Sequence, residues 1–228
     1  MLSTCIPSRD ITLRAALFDL DGVVFDTEGQ YTELYGAIGR KYLPDAPDFA
    51  QRIKGRTLVQ IYAEWFPGQP DRQAEITRWI DDFERNMDYR FVNGAVRFIK
   101  ALRAEGIRTA VITSSNKPKI MSALAARPEL NALFDRILTA EDYAASKPAP
   151  DGYLKGAEIF QASPLECVVF EDSLNGLKAG KAAGSFLVGL TTTNPPELVR
   201  QYADLTIPDF ENLSVQTLKD LYAVSIFP

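Results

Sequence analysis

The pattern of hydrophobic and polar positions changes character twice along the chain. Residues 13–18 are short, largely apolar and free of Gly and Pro, which suits a strand buried on both faces of a parallel sheet. From residue 27 to about 91 the chain becomes rich in charge and aromatics, including Tyr31, Tyr35, Tyr42, Trp65 and Trp79. Leu34, Ile38 and Tyr42 recur at four-residue steps, as do Ile76 and Ile80, with Phe83 three further on. Helices are therefore predicted here, and Pro44, Pro47, Pro67 and Pro70 are expected to end them.

From residue 93 onward helix and strand alternate. Helices are predicted over 95–104, 117–126, 152–160 and 174–183, with strands over 108–112, 136–138, 167–170, 186–188 and 205–207. That alternation implies an α/β fold, a Rossmann-like doubly wound parallel sheet. The division follows: 1–26 and 92–228 form the core, and 27–91 is a small inserted α-helical domain.

Three of the buried strands end in polar clusters. Asp19 and Asp21, with Gly22, close the first; Thr113, Ser114 and Ser115 follow the second; Glu171 and Asp172 end a third. Lys147 lies in a turn between the second and third clusters. In open α/β sheets the carboxyl ends of the strands are where ligands bind, and a turn begun at Gly22 can bring both aspartates towards one centre. Singly, each cluster also reads as an Asp-Gly turn, a helix cap or a complement to a helix dipole. Their common position at strand ends makes a shared site the stronger reading.

Composition narrows the chemistry. Hydrophobic and charged fractions of 46% and 24% are ordinary for a globular protein. A formal charge of -5 without a basic cluster argues against a nucleic-acid partner. Cys5 and Cys167 are the only cysteines, so no disulfide is expected and a reducing compartment fits. Residues 1–10 hold no apolar segment of signal-peptide length, and no uncharged run approaches the ~18 residues of a membrane span. A cytoplasmic monomer with no membrane partner is expected. Histidine is absent altogether, which removes His-ligated zinc, a Ser-His-Asp triad and His acid–base catalysis together.

Several carboxylates in one place cannot all stay ionised without a cation, and an all-oxygen donor set favours Mg²⁺. Asp19 and Asp172 are candidate ligands, with the Asp21 carbonyl completing the set. Thr113, the backbone N–H groups that follow it and Lys147 would hold a phosphoryl group. In such a site Asp19 can act as nucleophile and Asp21 as general acid and base.

The ordered set Asp19-x-Asp21-Gly22 through Thr27-Glu28, Thr113-Ser114-Ser115, Lys147-Pro148-x-Pro150-Asp151 and Glu171-Asp172-Ser173 resembles the four motifs of the haloacid dehalogenase-like superfamily. Within it the chain is similar to the branch containing β-phosphoglucomutase and sugar-phosphate phosphatases, in which a helical cap is inserted after the first motif. The resemblance implies an aspartyl-phosphate on Asp19, acid–base work by Asp21, phosphate held by Thr113 and Lys147, Glu171 supporting the Mg²⁺, and a cap over 27–91 that selects a small phosphorylated metabolite. Gly22, Ser114 and Ser115 would line the phosphate site, and Tyr31, Lys54, Arg56 and Thr57 the substrate side. The second aspartate, Asp21, argues against halide chemistry. Tyr31 stands where the mutases carry a cap histidine, and Leu58 where their cap loop carries an arginine, with Arg56 close by. A phosphatase is therefore expected ahead of a β-phosphoglucomutase-type hexose-phosphate mutase, and ahead of a pyrophosphatase or a non-catalytic phosphate-sensing module.

Overall fold

The computed structural model describes residues 12–226; Cys5 and the first ten residues lie outside that range. In chain order the elements are β1 (Ala15–Phe18), α1 (Glu28–Tyr42), α2 (Phe49–Arg52), α3 (Leu58–Trp65), α4 (Pro70–Asn86), α5 (Ala95–Ala104), β2 (Arg108–Ile112), α6 (Lys117–Ala126), α7 (Leu130–Leu133), β3 (Arg136–Leu138), α8 (Asp151–Ile159), β4 (Cys167–Glu171), α9 (Leu174–Ala183), β5 (Phe186–Leu190), α10 (Pro196–Val199), β6 (Leu205–Ile207) and α11 (Val215–Ile226). The alternating pattern after residue 93 becomes five of the six strands. The aromatic-rich stretch becomes four helices.

One local expectation is corrected, and three further helices appear that the pattern did not predict. Pro70 opens α4 at its first position instead of ending a helix, because that position needs no backbone N–H and proline's fixed φ suits it. The short α7 and α10 were not anticipated, since four residues are too few to display a helical period. Helix α11 also went unread, although Val215, Leu218 and Tyr222 are buried along it at helical spacing.

All strand pairs are parallel, in the order β3-β2-β1-β4-β5-β6. The order reverses between β1 and β4, the switch point at which a crevice opens beyond the strands' carboxyl ends. Both sheet faces are covered. Ala16, Phe18, Val111, Val168, Phe170 and Val188 face one core, shared with residues of α5, α6 and α11, and that core runs on into the helical insertion. Ala15, Leu17, Ala110, Ile112, Cys167, Val169 and Leu187 face the other, under α8 and α9. This burial on two sides is why the strands read as apolar runs. Cys167 is buried and unbridged.

Register fixes the site. Phe18 pairs with both Val111 and Phe170, so Asp19 emerges level with Ile112 and Glu171, and its N–H donates to the Phe170 carbonyl at 3.0 Å. Beneath that point the rings of Phe18 and Phe170 stack at 4.5 Å. Phe210 packs against Phe18, Phe98 and Phe170 at 5.3 to 6.1 Å.

Phe210 is wholly buried beneath Phe18 and Phe170 and is not among the residues that line the cavity described below. Truncation to Phe210→Ala is expected to cost about 3–5 kcal/mol, read as a lowered urea midpoint, while turnover measured well below the transition stays near that of the parent protein.

Candidate active site

The predicted clusters converge at the carboxyl ends of β1, β2 and β4. At their centre is Lys147, 3% exposed. Its Nζ donates to Asp19 Oδ1 and to Glu171 Oε1, both at 2.5 Å, and to the Ile112 carbonyl at 3.1 Å. Burial disfavours the charged amine, but Asp19 and Glu171 outweigh it and hold Lys147 well above its ordinary pKa. Tyr153, from α8, adds its hydroxyl to Glu171 Oε1 at 2.7 Å. Glu171 Oε2 accepts the backbone N–H groups of Asp172 and Ser173 and the Ser173 hydroxyl, so this carboxylate is saturated by donors.

Asp172 is placed differently. Its Oδ2 accepts the Thr193 hydroxyl, and its carbonyl accepts Asn194 Nδ2 at 2.8 Å. Its buried Oδ1 has no hydrogen-bond partner among the described residues. Burial first, then Glu28, Glu171 and Asp19, raise its carboxyl far above the usual range. Asp19, Glu171 and Asp172 offer carboxylate oxygens within 4.8 Å of one another. An unpartnered oxygen in a buried triacidic cluster is what a hard cation would relieve, so the donor set fits one. Gly22, at φ +77°, gives Asp172 its room, since a Cβ there would lie 2.0 Å from Asp172 Oδ2.

Asp21 turns to another set of partners. Thr27 donates to its Oδ1 at 2.6 Å, and Ser115 to its Oδ2 at 3.2 Å. Lys119, from α6, also bonds Oδ2 and lies 4.4 Å from the centre of the Tyr31 ring. Tyr31 donates its hydroxyl to Glu84 Oε1 at 2.7 Å. Thr113 Oγ1 accepts the Ser115 N–H at 3.1 Å, and its carbonyl accepts the Tyr143 hydroxyl.

The insertion reaches this site through the loop between α2 and α3. Gly55 sits at φ +71°, where a Cβ would meet Ser173 Oγ at 2.5 Å, and its carbonyl accepts Ser114 Oγ at 3.5 Å. Asn175 Nδ2 donates to the Lys54 carbonyl, and Gln60 Nε2 to the Lys147 carbonyl at 3.1 Å. Thr57 caps α3, accepting the Gln60 N–H on its hydroxyl. Lys54 pairs with Glu28 at 3.2 Å and Arg56 with Glu64 at 2.6 Å. Between loop and sheet edge lies a cavity of about 590 Å³.

Of the residues singled out from the sequence, Asp19, Asp21, Thr113, Ser114, Ser115, Tyr31, Lys54, Arg56 and Thr57 line that cavity. Lys147, Gly22, Glu171 and Asp172 are buried among its supporting residues. Sequence reasoning missed Lys119, Thr193, Tyr153 and Glu84. Thr193 follows β5 in the run Thr191-Thr192-Thr193-Asn194, so the strand-end rule that found the other clusters would have found it. Tyr153, Glu84 and Lys119 lie within helices and carry no such mark.

A Rossmann-like sheet with an acidic cluster at its switch point and a helical insertion above it defines an α/β enzyme architecture. The family model for haloacid dehalogenase-like hydrolases matches residues 13–184. The chain is 29% identical over 240 residues to the β-phosphoglucomutase of Mycobacterium bovis, covering 88% of this chain and 91% of that protein. It is 30% identical over 204 residues to the validoxylamine A 7'-phosphate phosphatase of Streptomyces hygroscopicus subsp. limoneus, covering 86% and 93%. A crystal structure of a family IA, variant 3 HAD hydrolase from Entamoeba histolytica superposes with a TM-score of 0.79 at 21% identity, over 92% of this chain and 99% of that one. The chain belongs to the haloacid dehalogenase-like hydrolase family and is an enzyme of it. Among the described residues no helix is long and apolar enough to cross a membrane.

Burial, with Glu171 and Asp21 adding to it against Lys147, lifts Asp19 from its ordinary 3.8 to about 7. A carboxyl whose pKa is raised on folding binds its proton more tightly in the native state, so stability falls as pH rises from 3.8 towards 7 and stays lowered above it. In chelator at pH 7.5, Asp19→Asn is therefore expected to stabilise the protein by about 1–3 kcal/mol, or roughly 3–10 °C. The gain should shrink in melts recorded near pH 4.

Proposed function

We propose that the protein is a Mg²⁺-dependent phosphatase that hydrolyses a small phosphorylated metabolite, a sugar phosphate, through an aspartyl-phosphate on Asp19. The carrying observation is the division of labour between the two aspartates: Asp19 belongs to the buried cluster around Lys147, and Asp21 to a separate set of donors on the cavity wall. In this reading Asp19, Asp172 and the Asp21 carbonyl hold the ion, and Glu171 orders the cluster. The ion supplies charge that offsets the carboxylates and the phosphoryl oxygens.

An Asp19 carboxylate oxygen forms the bond to phosphorus while the ester P–O bond breaks, and Asp21 gives its proton to the leaving oxygen. Asp21 then takes a proton from water, whose oxygen attacks the phosphorus of the aspartyl-phosphate and releases inorganic phosphate. Thr113, Ser114, Ser115 and Lys147 bind the phosphoryl group, with Gly22 keeping the turn beside it open. Residues 27–91 serve as the cap that shields these steps from bulk water. Tyr31, Lys54, Arg56 and Thr57 face the rest of the substrate. The enzyme works as a cytoplasmic monomer on a diffusible metabolite, without nucleic-acid or membrane partners.

The likeness to a β-phosphoglucomutase at 29% identity favours a second reading, a hexose-phosphate mutase. Two features weigh for hydrolysis. Tyr31 commits its hydroxyl to Glu84, and burial holds that phenol well above its ordinary pKa, so it does not replace a titrating histidine. Lys54 and Arg56 already face carboxylates, which leaves these two cations engaged when a second phosphate would need them.

A phosphate-release screen over sugar phosphates, nucleotides and pyrophosphate, with Mg²⁺ or with chelator, tests the proposal. Release should require Mg²⁺, be greatest on a sugar monophosphate and fall at least about a thousandfold in Asp19→Asn; unchanged turnover in that variant would overturn the mechanism. Conversion of β-glucose 1-phosphate to glucose 6-phosphate faster than phosphate release would establish the mutase instead.

A further inference from the structure

We propose that Lys119 is a positioning residue for the reaction, fixing the Asp21 carboxylate in the orientation from which it serves the leaving group; the inference rests on the reading of Asp21 as general acid. The motif that follows β2 ends before Lys119, and nothing in its local sequence distinguishes it from a surface lysine. Its placement is nevertheless unusual on two physical counts.

The first is burial. Lys119 is 3% exposed, whereas a lysine in the first turn of a surface helix would normally carry its ammonium out to water. Its contacts at that end are Asp21 Oδ2 and the face of Tyr31, and a buried ammonium without a counter-charge is strongly unfavourable. The second is the helix. Asn116 caps α6, accepting the Lys119 N–H on Oδ1 at 3.0 Å, so Lys119 is the third residue of the first turn. A cation there opposes the partial positive charge of the helix N-terminus. Residues that break local preference in a well-satisfied fold tend to serve a site.

The geometry says what Lys119 contributes. Three donors hold Asp21: Thr27 on Oδ1, and Ser115 and Lys119 on Oδ2. The two hydroxyls can rotate and accept as readily as donate. An ammonium only donates, so Lys119 keeps one oxygen anchored while the other partners turn. It reaches Asp21 from the core helix α6 and touches Tyr31 on the inserted helix α1, so Asp21 is held where the two parts of the chain meet. A general acid must lie within hydrogen-bond reach of the leaving oxygen, and losing the anchor lets the carboxyl turn away from it.

The test is the dependence on leaving group, in Mg²⁺-loaded enzyme, using p-nitrophenyl phosphate, phenyl phosphate and the best alkyl monophosphate from the release screen. A nitrophenolate leaves without a proton, and an alkoxide does not. Lys119→Met, which keeps the stem, is expected to lower kcat on the alkyl ester roughly thirtyfold or more and on p-nitrophenyl phosphate less than about threefold, with phenyl phosphate between them and KM little changed. Lys119→Arg should recover part of the loss, and thermal melts of both variants establish that they fold; if only the arginine variant folds, its own split between the esters decides. Asp21→Asn is measured in parallel. An equal loss on all three esters in the Lys119 variants, beside a clear split in Asp21→Asn, overturns the role of Lys119 alone. No split in Asp21→Asn overturns the reading of Asp21 as acid and this inference with it.

Discussion

The arrangement at the sheet edge depends on one buried ammonium. Lys147 lies between Asp19 and Glu171 and is bonded to the end of β2 through the Ile112 carbonyl. It thereby ties together the three central strands that the apolar cores hold from below. Without a counter-cation, Asp19, Glu171 and Asp172 would repel one another at this range, and one lysine offsets only part of that charge. Burial first, and the neighbouring carboxylates after it, raise the carboxyl pKa values of Asp19 and Asp172, and Asp172 Oδ1 has no partner among the described residues. A cluster built this way is poised for added positive charge. The surrounding donors of Tyr153, Ser173 and Thr193 fix where that charge can sit.

The same constraint separates the two aspartates of the first motif. Asp19 continues β1 and is drawn into the buried cluster. Asp21 lies two residues on, at the start of the turn that Gly22 permits, and collects hydroxyls and a second lysine. Gly22 itself packs against Asp172, where a Cβ would lie 2.0 Å from Oδ2. One short segment thus presents two carboxylates to the cavity, one tied to the buried cluster around Lys147 and the other to a separate set of donors. The loop of residues 54–57 approaches from the insertion and closes the far side, held by contacts to Ser114, Ser173 and Asn175.

Much of this was legible in the chain. A strand buried on both faces must be apolar until it ends, so the abrupt appearance of Asp19, Thr113 and Glu171 marks three strand ends, and parallel pairing brings such ends to one edge. The bounds of β2, β3, β6, α5, α6 and α9 follow from the same periodicities. The family likewise follows from ordered motifs that depend only on residue type and spacing. Pro70 was misread because proline both ends and begins helices, and the sequence pattern alone did not say which.

What the sequence could not supply is partnership across distance. Nothing in the local pattern joins Lys119 to Asp21, 98 residues earlier, or Glu84 to Tyr31, 53 residues earlier. Side chains on α1, α4 and α6 meet near the sheet edge only once the chain has folded, and each looks locally like an ordinary surface charge or aromatic. Sequence by itself determined the sheet, its chemical edge and the residues of the motifs, because burial and strand ends leave their mark on residue type. Tertiary structure alone decided which lysine faces which aspartate and that Lys54 is paired with Glu28, because those choices rest on packing between segments separated in the chain.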